Sequence, residues 1–198
     1  MGSIRWPGIA FTDELPTDRG RHGELLSRGR RPAPPGQRGE PQYGSVLLTR
    51  QRRATRPEKL LCQVLGGPAD NDERGWLWLL PDTSKGKYEG WPEREVTVHP
   101  PVSLAGMARA LKDCPEMASH HTAVRVREPR LHGAVGALCR RNVAQPASPY
   151  PVVVQKKAVV RYDDHEKLPW VLASQTALYL TGCTIVGIHA ELAAAGKL

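Results

Sequence analysis

Apolar and polar positions fall into short runs between turn residues until about residue 150, where a long apolar block begins. Trp76-Leu77-Trp78-Leu79-Leu80 and the alternating Glu95-Val96-Thr97-Val98-His99 predict two strands, and Ser45–Thr49 and Lys59–Leu65 predict two more. Gly66-Gly67-Pro68, Pro81-Asp82 and Pro100-Pro101 supply the stops. In a strand, Trp76 and Trp78 share one face and Leu77 and Leu79 the other. Ser103 is placed as the N-cap of a helix that carries Leu104, Met107, Ala108 and Leu111 and ends near Pro115. Thr122–Arg127 alternates as a half-buried strand. Leu131, Val135, Leu138 and Cys139 stand at helical spacing, which predicts a helix over 131–143 with Arg140 and Arg141 in its last turn. A Pro-rich joint over 145–151, a strand from Val152 and a charged turn over Asp163–Lys167 lead into Trp170–Leu192, which reads as core-building strand or buried helix.

These elements define an α+β chain. A small antiparallel β-rich unit (a sheet or barrel) over 45–100 is followed by a mixed α/β region over 101–198 that forms the main core. Residues 1–44 differ in texture. Fourteen of them are Pro or Gly, enough to predict a largely irregular, flexible N-terminal arm, with room for one short helix over Arg21–Arg28.

Charge narrows the partners. The chain carries +8 at neutral pH, and twelve Lys and Arg face seven Asp and Glu over residues 101–198. Such a surplus favours polyanions, nucleic acid above all. The four cysteines stand far apart without a C-x-x-C pair, which argues against a zinc knuckle or redox dithiol. The start of the chain has Trp6-Pro7-Gly8 where a signal core would be apolar, so reduced thiols in a cytoplasmic protein are the expectation. No stretch reaches the roughly 18 uninterrupted apolar residues of a membrane span. Trp170–Val186 comes closest, but Ser174, Gln175, Thr176, Thr181, Gly182 and Thr184 punctuate it.

Four arginines in seven residues, Arg50, Arg52, Arg53 and Arg56, form a basic loop beside the predicted sheet. Together with Arg28, Arg30 and Arg31 of the arm and Lys85 and Lys87, they are placed as contacts to nucleic-acid phosphates. Tyr88 and Trp91, in a polar loop, are placed as stacking groups, whereas Trp76 and Trp78 suit a small core better. Asp163-Asp164-His165-Glu166 holds residue types that serve hard metals or acid–base chemistry, but no partner motif accompanies it, and a solvated turn is the simpler account. Cys114 near His120 and His121, and Cys183 near His189, are sequence neighbours, which says little about thiol chemistry. No glycine pattern calls for a cofactor. Thr176–Leu192 faintly resembles a helix-turn-helix, yet its second helix would carry no Arg or Lys before Lys197.

The expectation is a basic, non-catalytic protein associated with DNA or RNA or with a larger particle, compatible with an oligomer and not with a membrane. The alternatives are a structural subunit of a multi-protein assembly without nucleic acid, and a small enzyme built around Asp163, Asp164 and His165 or a Cys–His pair.

Overall fold

The computed structural model describes residues 8–28, 51, 54–56, 59–82, 85–86, 88–114, 119–194 and 196. The fold is strand-dominated α+β: seven strands form one mixed sheet, accompanied among the described residues by two α-helices. The strands are β1 (Leu25–Leu26), β2 (Asn71–Asp72), β3 (Gly75–Pro81), β4 (Val96–Thr97), β5 (His121–Arg140), β6 (Val152–Arg161) and β7 (Val171–Val186). The helices are α1 (Leu104–Asp113) and α2 (Ile188–Ala194). The order runs β1-β7-β5-β3-β2, with β4 on β7 and β6 on β5, and only the β1–β7 pair is parallel among those whose register is resolved.

The chain forms two compact units whose boundaries fall inside the two longest strands and after Arg30. Unit 1 comprises Met1–Arg30 and His132–Ala177; unit 2 comprises Arg31–Leu131 and Leu178–Leu198. A strand of twenty residues, β5, and one of sixteen, β7, are each long enough to serve both.

In unit 2 the alternation along β3 works as the sequence suggests. Trp78 and Leu80 join Leu60, Val124, Val126, Leu178 and Leu180 on one face, with Trp76 and Trp91 packed against them. Leu77 and Leu79 join Cys62, Val102, Met107, Ala123 and Leu192 on the other. Trp78 is fully buried, and its indole Nε1 donates to the His99 carbonyl at 2.8 Å, so the one polar atom of the ring is satisfied. Helix α1 starts where Ser103 Oγ accepts from the Gly106 amide at 3.0 Å, and it buries Met107 in that second cluster, with Leu104, Ala108 and Leu111 packed against it. The β2–β3 turn requires glycine at Gly75: φ is +105°, and a Cβ there would strike the Val126 carbonyl.

Four expectations are corrected. Residues 59–65 are not a strand: Leu61 makes an isolated bridge to Pro68, and the backbone closes on itself from Cys62 to Gly67, because Gly66-Gly67 turns the chain before a ladder can form. There Cys62 Sγ accepts from the Leu65 amide and the Ser103 hydroxyl. Residues 131–143 are not a helix, because β5 continues to Arg140. Register shifts between Gly136 and Cys139 break the two-residue alternation and imitate a helical period: Leu138 packs in one cluster and Cys139 in another. Close approach also matters, since a Cβ on Gly136 would strike the Leu172 carbonyl of β7. Residues 176–186 lie in β7, which removes the helix-turn-helix likeness.

The fourth correction concerns the arm. Residues 8–28 pack into unit 1 instead of trailing from it. Leu25 and Leu26 form β1 on Leu172 and Ala173, not a helix, and Ile9 and Leu25 are buried with Cys139. Ionic ties replace the missing apolar bulk. Arg19 reaches Glu14 and the carbonyls of Ile9 and Gly23, and Arg28 reaches Asp13 and Asp18 while lying over the Phe11 ring. The predicted strand at 45–49, and residues 29–44 of the arm, lie outside the described residues.

Candidate functional site

Unit 1 carries one stretch of chain in which exposed basic side chains occur without acidic ones. From His132 to Tyr162 the chain has five Arg and Lys and no Asp or Glu. Of the five, Arg161 is paired with Asp163, but Arg140, Arg141, Lys156 and Lys157 are exposed and make no ion pair among the described residues. The register sets their neighbourhood: Arg140 ends β5 opposite Val152, and β6 pairs with β5 alone among the described strands. Among the described residues the other edge of β6 is unpaired. Every residue from Pro151 to Lys157 is exposed, including Val152, Val153 and Val154.

Beside this edge lies an open surface pocket of about 250 Å³ lined by Leu138, Cys139, Arg140, Arg141, Val154, Glu166, Lys167 and Trp170. Trp170 closes a 3-10 turn, with its amide bonded to the Lys167 carbonyl at 2.9 Å, and it packs against the Ile9, Leu25 and Cys139 cluster. Burial pushes the Cys139 thiol up, so this lining group stays neutral near pH 7. Lys167 is tied to Asp164 at 3.0 Å, which leaves Arg140 and Arg141 as the unpaired cations of the lining.

The residues singled out in the sequence are dispersed. Arg30, Arg31, Arg50, Arg52, Arg53 and Lys87 lie outside the described residues. Arg28 belongs to unit 1, where Asp13 and Asp18 occupy its guanidinium. Arg56 and Lys85 are exposed in unit 2. Tyr88 and Trp91 do come together, but on a carboxylate: both donate to Glu95 Oε2 at 2.9 Å, and Trp91 also packs against the first core cluster. Burial, then Glu95, raises the Tyr88 phenol. A carboxylate between two rings is a poor neighbour for phosphate.

The acidic turn is a set of short-range ion pairs: Asp163 with Arg161, and Asp164 with Lys167. The Arg161 bond holds the Asp163 carboxyl below its ordinary range, and the Lys167 amide, then its ammonium, does the same for Asp164. Among the described residues no three His, Cys, Asp or Glu side chains are grouped to hold a metal. All four cysteines are free. Cys183 sits against Glu93, which accepts the amides of Gly182 and Cys183; burial and that carboxylate push its thiol up to about 12, the reverse of an activated nucleophile.

One densely charged cluster was not anticipated. Arg125, fully buried on β5, bonds Asp70 at 2.6 Å and Glu191 of α2, while Arg74 bridges Asp72 and Glu191. Burial pulls the Arg125 guanidinium down, and the bonds from Glu191 and Asp70 outweigh it, leaving the group above its usual value. Glu191 is itself buried, and every carboxylate of the cluster has an arginine partner, so the arrangement clamps α2 to the sheet. In the sequence Arg125 looks like an outward residue of a half-buried strand, because nothing local shows that α2 returns across that face. No described helix is long and apolar enough to cross a membrane. No protein-family model, no curated protein and no solved structure matches the chain.

Proposed function

We propose that the protein is a non-catalytic nucleic-acid-binding protein whose contact surface is the basic edge of unit 1. The observation that carries this reading is the run from His132 to Tyr162, which has no carboxylate and four exposed cations, Arg140, Arg141, Lys156 and Lys157, that make no ion pair among the described residues. Unpaired cations at an open strand edge gain from displacing the counterions of a phosphate chain; arginines already held by Asp or Glu do not. The arm and loop arginines Arg30, Arg31, Arg50, Arg52, Arg53 and Arg56 belong to the same proposal as a second, separate contact; Arg28, held by Asp13 and Asp18, does not.

Binding of labelled DNA and RNA, measured across a salt series, tests both surfaces. Arg140→Ala with Arg141→Ala, and Lys156→Ala with Lys157→Ala, should each lower the slope of log K against log salt by about 2. They should weaken all sequences about equally, because phosphate contacts carry no sequence information. Arg52→Ala with Arg53→Ala reports on the loop in the same assay. Absence of binding at low salt sinks the proposal.

The exposed valines of β6 favour a second reading, addition of a strand from a protein partner in an assembly. Self-association or partner capture that survives nuclease treatment, and is abolished by a Val153→Pro change at the edge, supports that reading instead.

A further inference from the structure

We propose that the cavity beside β6 receives one unpaired nucleobase against Trp170, so that the preferred ligand of this edge is single-stranded nucleic acid. This rests on the preceding assignment of the edge to nucleic acid and names the form that it takes.

The size of the cavity is the first argument. About 250 Å³ falls below the roughly 300–1,000 Å³ of pockets that enclose a whole small molecule, and it suits one planar group with the rest of the ligand outside. The lining is the second. Leu138, Val154 and Trp170 offer apolar and aromatic surface, while Arg140 and Arg141 stand unpaired in the same wall. A base needs the former and the phosphates on either side of it need the latter. A bare anion would have no use for the apolar floor.

Rigidity is the third. Trp170 is fixed by its turn and by packing on Ile9, Leu25 and Cys139, so little side-chain freedom is lost when a base stacks on it. Glu166, also in the wall, carries a carboxylate that can accept from an exocyclic amino group. A duplex would have to unpair and unstack a base to fill the cavity, at a few kcal/mol, whereas a single strand presents one without that penalty. Continuity with the edge completes the case: Val154 belongs to both, and Lys156 and Lys157 follow within the same exposed stretch.

The full-length protein should be titrated with a labelled oligothymidylate and with a duplex of equal length, followed by fluorescence anisotropy. The single strand should bind at least about tenfold more tightly, and Trp170→Leu should bring its affinity down about tenfold, to the level of the duplex. Because Trp170 also packs in the interior, the unaltered protein should in parallel be photocrosslinked to an oligonucleotide that carries 5-iodouracil. The crosslink is expected at Trp170. Equal affinity for both forms, with crosslinks only outside the cavity, overturns the base-insertion inference and leaves the phosphate-binding edge standing. Failure of both nucleic acids to bind at low salt overturns the two together.

Discussion

Arg125 holds three acidic side chains from two distant parts of the chain, so its loss uncovers charge rather than merely removing it. Asp70 and Asp72 come from the β2 region and Glu191 from α2, and Arg125 and Glu191 are almost wholly shielded from water. Two charges moved out of water repay that cost only while they stay together. Arg125→Met, which keeps much of the volume, should therefore lower stability by about 3–5 kcal/mol, read as a fall in the urea midpoint with little change in slope. Adding Glu191→Gln should recover part of the loss, because a buried carboxylate that keeps only Arg74 of its two arginine partners is then neutral. A single variant as stable as the parent would mean that the cluster is not a clamp.

At the scale of elements, the segment 8–28 gives the clearest pH dependence. The Arg28 hydrogen bond, then the Leu15 amide, holds the Asp18 carboxyl at about 2, below the value near 3.9 expected in an unfolded chain. A depressed carboxyl contributes stability that is present above about pH 4 and is lost as pH falls through about 2. Amide protection of Leu25 and Leu26, corrected for intrinsic exchange, should thus fall between pH 4 and pH 2, and Asp18→Asn should flatten that fall. Sequence patterns show elements whose burial is periodic, as with β3, where apolar positions feed both faces, and α1, where Ser103 and the Leu104–Leu111 spacing agree. They miss elements held by other means. Residues 8–28 rely on Arg19 and Arg28 ion pairs that a Pro/Gly count ignores, and β5 carries register shifts that scramble its alternation. The candidate site was hidden for the same reason. Arg140 and Arg141 read as the end of a helix, so their place beside the β6 edge was not visible. The uninterrupted absence of acid between His132 and Tyr162 was the signal available.

Over the whole molecule, the two long strands decide which truncations fold. β7 gives Val171 and Ala173 to the core of unit 1 and Leu178 and Leu180 to that of unit 2, and the residues after it supply Leu192 and Glu191. A chain ended after Asp164 loses buried Leu168, Val171, Leu178, Leu180 and Leu192 at once. At about 1.5–3 kcal/mol for each buried aliphatic side chain, those five alone represent roughly 7–15 kcal/mol. That matches the roughly 5–15 kcal/mol by which whole domains are stable. The fragment also leaves Arg125 without Glu191 and strips β1 of its strand partner. It should show no cooperative transition when melted by circular dichroism, and the surplus of basic side chains would then sit on an unfolded chain. A soluble fragment with a sharp melt would place the essential core within residues 1–164 and would relegate β7 to a covering layer.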